Sequence, residues 1–171
     1  PYGALVTLDV GPLGELLEPS GTLAFEDAVA EYGRIVRAGV AAGADILYFE
    51  TFTDLYEMKA ALLAAKENST LPIMASMSFE ANGRTFTGCT VESFAATARG
   101  LGANAVGINC SLGPKEIFPM AKRLAEAVPG NFPVFVKPNA GLPRADGSGY
   151  DITPQLYAMQ MKPYRELHLF A

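Results

Sequence analysis

Apolar and polar positions alternate along this chain in blocks of two kinds. Short continuous apolar runs occupy Ala4–Val10, Ile46–Phe49, Ile73–Met77, Ala105–Ile108 and Val134–Val136. Most stop directly at turn-forming or polar residues: Gly11-Pro12-Leu13-Gly14, Glu50-Thr51, Asn109-Cys110-Ser111 and Lys137-Pro138-Asn139, with the third run leading to the loop Glu80-Ala-Asn-Gly-Arg84. Runs of this length and composition suit strands covered on both faces, as in a parallel sheet.

The blocks between them carry helical spacing. Phe25, Val29, Tyr32, Val36 and Val40 fall on one helical face, as do Leu55, Met58 and Leu62 after Asp54 and Glu57, which together resemble a capping box. Val91, Phe94, Ala98 and Leu101 form a third stripe. Pro114, just after Gly113, opens a fourth through Ile117, Met120 and Leu124, and Thr153-Pro154 opens a fifth through Leu156 and Met159. Gly43 and Gly102 stand where helices stop before the next strand.

Strict alternation of the two kinds predicts an α/β fold with a parallel sheet, either a (β/α)8 barrel or a doubly wound open sheet. The polar clusters at the ends of the runs favour the barrel, whose reactive groups sit where strands pass into the following loops. An open sheet would concentrate its ligand at one switch point, usually with a glycine-rich nucleotide loop. The sequence has neither a G-x-G-x-x-G string nor a Walker lysine motif. Five units fill the 171 residues, whereas a closed barrel takes eight units and about 250 residues. The expectation is one domain, residues 1–171, that is a partial barrel cut at both ends. Leu167–Phe170 would begin a sixth strand.

Composition narrows the chemistry. Thirteen basic against 18 acidic residues give a formal charge of -5, with no basic stripe to neutralise phosphates. Nucleic acid and anionic membrane are poor partners for such a surface. No apolar stretch approaches the ~20 residues of a bilayer span. The two cysteines, Cys89 and Cys110, are too few for a disulfide scaffold, which points to a reducing, cytoplasmic setting.

Read in order, the run ends Gly11-Pro-Leu-Gly14, Phe49-Glu-Thr-Phe-Thr-Asp54, Gly107-Ile-Asn-Cys-Ser-Leu-Gly-Pro114 and Val136-Lys-Pro-Asn-Ala-Gly141 resemble the homocysteine S-methyltransferase family. Asn82-Gly-Arg84, Thr87-Gly88 and Gly149-Tyr-Asp-Ile-Thr-Pro154 extend the resemblance almost end to end. It implies a (β/α)8 barrel contributing strands three to seven here. It also implies zinc held by three cysteine thiolates, one of them Cys110; the adjacent pair that completes the set lies beyond these residues. The activity implied is methyl transfer to the homocysteine thiolate, giving methionine. The strings look like the cobalamin-linked branch, in which methylcobalamin and folate are carried by other domains.

The chemistry asks for such a site. A free thiol with a pKa near ~8.5 is mostly protonated at neutral pH, and its thiolate is the nucleophile. Zinc with three protein ligands and one open position takes up the substrate sulfur as the anion. Cys110, without the resemblance, reads as a small buried hydrophobe; with it, as a metal ligand. Glu50, a charge ending an apolar run, is either a helix-capping or ion-paired surface group or, as the resemblance implies, the residue that holds the homocysteine amino group. Asn109 and Asn139 are candidates for meeting the substrate or for shaping the loops. Cys89 is incidental, and His168, the only histidine, lies in no motif. Lys137 supports a competing reading, a Schiff-base aldolase or lyase, if desolvation lowered its pKa. A non-catalytic, incomplete barrel is the remaining alternative.

Overall fold

The computed structural model describes residues 3–141, 144 and 146–171. Its elements are β1 (Thr7–Val10), α1 (Phe25–Ala41), β2 (Ile46–Phe52), α2 (Leu55–Asn68), β3 (Ile73–Met77), α3 (Val91–Gly100), β4 (Ala105–Asn109), α4 (Pro114–Glu126), β5 (Val134–Lys137) and α5 (Pro154–Met161), followed by a 3-10 helix over Lys162–Leu167. The five strands form one sheet in the order β1-β2-β3-β4-β5, and every pairing is parallel. Strand order that follows chain order has no switch point, so the doubly wound alternative is excluded and the sheet is a barrel segment.

Side chains alternate between the two faces. Leu47, Phe49, Ile73, Ala75, Met77, Val106, Ile108, Val134 and Val136 pack with the helices in one core. Burying each large side chain of this set contributes on the order of 1.5–3 kcal/mol. On the opposite face Tyr48, Ala105 and Phe135 form a smaller cluster with Met74 against it. Gly107 makes that cluster possible: a Cβ there would lie 2.4 Å from the Phe135 ring.

Several elements depart from the sequence reading. β1 begins at Thr7, because Leu5 and Val6 are exposed and Val6 instead bonds through its N–H to Asp45 Oδ2 at 2.8 Å. β2 continues past Phe49 to Phe52 through a register shift between those two residues, so Glu50 lies within a bulged strand end. The expected capping box is half formed. Asp54 Oδ1 accepts from the Tyr56 N–H at 3.0 Å, but Glu57 turns into the core, accepting from the Leu13 N–H and the Tyr32 hydroxyl, each at 2.7 Å. α5 forms yet buries none of its residues; Tyr164 in the following 3-10 helix is buried instead and donates to the Pro114 carbonyl. Leu167–Phe170 is not a strand, since Leu167 closes the 3-10 helix and His168 is left-handed at φ 50°. The chain meets β5 only beyond that point, where the Phe170 N–H donates to Val134 O at 2.7 Å and the Val136 N–H to Ala171 O at 3.0 Å.

Candidate functional site

The polar residues of the inner face gather at the C-terminal edge of the sheet. Register places Asp9 beside Tyr48, Ser76 beside Gly107 and Asn109 beside Lys137. Asn109 is fully buried and joins most of the others. Its Oδ1 accepts from the Thr51 N–H at 3.1 Å and from Ser76 Oγ at 2.8 Å. Its Nδ2 faces Thr51 Oγ1 at 2.6 Å, Cys110 Sγ at 3.2 Å and Glu50 Oε2 at 3.4 Å. The Tyr48 hydroxyl lies 3.0 Å from Ser76 Oγ. Ser78 Oγ donates to the Asn109 carbonyl at 2.7 Å.

This network holds backbone that would otherwise relax. Thr51, Cys110 and Ser111 have φ of 67°, 60° and 61°, a region costing a non-glycine residue about 1–2 kcal/mol each. Thr51 is held there by both ends of the Asn109 amide. Cys110 is held by its N–H on the Lys137 carbonyl at 3.1 Å. The resulting turn aims the half-buried Cys110 thiol at the Asn109 amide and at Thr51 Oγ1, which is 3.7 Å away. Thr51 Oγ1 already accepts from Asn109, so its own proton is available to the sulfur.

Charge collects beside this turn. Lys137 Nζ lies 2.6 Å from Glu50 Oε2 and 4.9 Å from the centre of the Tyr48 ring. Burial alone would raise the Glu50 carboxyl, but hydrogen bonds from Lys137 and Tyr48 and the Lys137 charge hold it below the ordinary carboxylate range. Asp9 behaves oppositely: burial first, then the neighbouring Glu50 charge, pushes its carboxyl up, and a hydrogen bond links the two.

Glu50, Asn109, Cys110 and Lys137, all singled out from the sequence, are thus brought together. Asn139 is near in the chain, and its N–H donates to Leu112 O at 3.0 Å, tying the β5 loop to the β4 loop. Cys89 packs against the helix-side core, donates to the Thr90 carbonyl at 3.2 Å, and is pushed up to about 11 chiefly by burial. His168 is exposed at the C-terminal end of the 3-10 helix. Lys137 does not suit the Schiff-base reading. Its side chain is 55% exposed and ion-paired, whereas a Schiff-base lysine is made neutral by desolvation or a cationic neighbour. Asp9, Tyr48, Thr51 and Ser76 were missed by the sequence reading; the signal available was their polarity at inward positions of otherwise apolar strands.

A cavity of about 660 Å³ lies next to this edge, lined by Pro138, Ala140, Tyr150, Ile152, Thr153, Pro154 and Tyr157. One of its walls follows the Lys137–Gly141 string. Gly141 has φ 84°, and a Cβ there would run into Asp151, so only glycine fits the turn.

The family model of homocysteine S-methyltransferases matches residues 2–170. The chain belongs to that family. It is 33% identical over 119 residues to the methionine synthase of Mycobacterium tuberculosis, a match covering 66% of this chain and 10% of that protein. The apo crystal structure of the homocysteine methyltransferase MmuM from Escherichia coli superposes with a TM-score of 0.69 at 25% identity, over 90% of this chain and 54% of that one. The carboxyl transferase domain of Rhizobium etli pyruvate carboxylase shares the fold alone, with a TM-score of 0.57 at 16% identity, over 96% of this chain and 26% of that one. The chain therefore spans about half the length of MmuM and a tenth of the methionine synthase.

Family membership raises the fit of zinc to this member. Cys110 offers one soft sulfur donor of the type zinc prefers. Among the described residues no group of three or more His, Cys, Asp or Glu is arranged to hold a metal ion, so Cys110 fits one ligand position and the described residues do not complete the set. Among the described residues no helix is long and apolar enough to cross a membrane.

Proposed function

We propose that this chain is the homocysteine-binding part of a zinc-dependent homocysteine S-methyltransferase that makes methionine. The observation that carries the reading is the Asn109 amide, which ties Glu50, Thr51 and Cys110 into one rigid cluster at the strand ends. In this reading Cys110 is one zinc ligand. Zinc bound there with further thiolates would supply a Lewis acid that keeps the substrate sulfur anionic. Glu50 binds the homocysteine ammonium, its low carboxyl pKa keeping it ionised at neutral pH. Asn109 positions rather than binds: it is buried, and its amide is committed to neighbouring protein groups. Asn139, whose N–H ties the β5 loop to the β4 loop, is the further residue that would meet the substrate.

Likeness to a methionine synthase supports a methyl donor carried by separate cobalamin- and folate-binding domains, with methylcobalamin as the donor. Two free cysteines suit a cytoplasmic setting. The test uses the intact protein: homocysteine and a methyl donor should yield methionine by mass spectrometry, with about one zinc per barrel by elemental analysis. C110A should lose both zinc and product. Full turnover in metal-free protein would overturn the reading.

A further inference from the structure

Lys137 sits where the proposed substrate ammonium should go. Its Nζ is 2.6 Å from Glu50 Oε2 and 4.9 Å from the Tyr48 ring centre, and Asp9 stands on β1 in register with Tyr48. A carboxylate edge, an aromatic face and a second carboxyl form a cradle for a primary ammonium. Such a cradle recognises the amino group of an amino acid as readily as that of lysine. Lys137 is also free to leave. Its side chain is 55% exposed, against 21% for Glu50, so the ammonium can move into water while the carboxylate stays in place.

We infer that Lys137 is an intramolecular placeholder: it occupies the ammonium position of the site and is displaced when homocysteine binds. This rests on the homocysteine reading above. The placeholder keeps Glu50 paired in the absence of substrate, avoiding a partly buried lone charge. It also sets a threshold that only a ligand with its own ammonium can cross. A thiol without an amino group leaves the Glu50–Lys137 pair intact and gains nothing from the cradle. Lys137 is therefore a specificity-determining residue that weakens substrate binding in exchange for selectivity.

The test compares intact wild-type protein with K137M and K137Q, which keep the side-chain stem, by calorimetric binding of homocysteine and of 4-sulfanylbutanoate, the analogue lacking the amine. Thermal unfolding confirms that the variants are folded. Displacement of a half-exposed ion pair should make homocysteine bind roughly 1.5- to 5-fold more tightly to both variants, while the analogue binds all three proteins equally. Weaker homocysteine binding by the variants, or equal shifts for both ligands, overturns the placeholder and leaves the homocysteine site standing. Absence of homocysteine binding in every protein overturns the site itself.

Discussion

The Asn109 amide nitrogen lies 3.2 Å from Cys110 Sγ, one residue away in the chain, and 2.6 Å from Thr51 Oγ1 on the bulged end of β2. The pairing couples two strained turns from different strands. Neither Thr51 nor Cys110 would hold its left-handed backbone alone, because each pays a steric cost that only surrounding contacts offset.

Replacing Asn109 therefore tests the cluster. N109A leaves the Thr51 N–H without its side-chain acceptor in a part-buried position and takes the acceptor from Ser76. Unmade buried hydrogen bonds of this kind cost about 1–3 kcal/mol. Urea denaturation should show a loss of that size, and a change below about 0.5 kcal/mol would remove Asn109 from its positioning role.

Cys110 at φ 60° gives a second expectation. C110G should be more stable than C110A by about 1 kcal/mol, since glycine adopts the left-handed region without strain. Both variants lack the thiol, so both should be equally poor in zinc. Thermal melts and metal analysis of the pair separate backbone strain from ligand chemistry.

Gly107 should not accept a side chain. G107A brings a Cβ to 2.4 Å from the Phe135 ring, and overpacking of a formed cluster costs about 1–3 kcal/mol. Combining it with F135L should recover part of the loss in a double-mutant cycle, because the ring is the obstacle.

Glu57 is a buried carboxylate outside the site. E57A removes the acceptor for the Leu13 N–H and the Tyr32 hydroxyl, with an expected cost of about 1–3 kcal/mol. Y32F, which removes only the hydroxyl, should cost less, and a larger loss for Y32F than for E57A would contradict the assignment.

Acid should weaken one surface pair. Hydrogen bonds from Arg123 hold the Glu92 carboxyl at about 2, below its ordinary 4.5. The folded form thus binds that proton less tightly than the unfolded form. The stabilisation is present above the ordinary value and is lost as pH falls toward 2. Both side chains are 40–49% exposed, so the effect should be small and salt-sensitive. The denaturation midpoint of E92Q should show a weaker pH dependence than wild type across that interval.

Much of this was legible in the chain. Five apolar runs became five strands because a continuous apolar run needs cover on both faces, and alternation with helical stripes provides it. The place of Cys110 and Glu50 at strand ends was legible too, because both lie in the short strings that close apolar runs. The reach of β2 to Phe52, the inward turn of Glu57 and the irregular approach of residues 168–171 to β5 were not. Each depends on a partner 25 or more residues distant, as the Tyr32–Glu57 bond illustrates.

Local pattern and residue type are enough to fix the alternating α/β order, the family, and which side chains carry reactive atoms. Tertiary structure alone decided that Asp9, Tyr48, Ser76 and Lys137 join Glu50 and Asn109 at one edge. It also decided that Lys137 is paired rather than a free nucleophile. The curved parallel sheet brings Glu50 and Lys137 together across 87 positions and two intervening strands, and no local pattern records which charges such a fold will oppose.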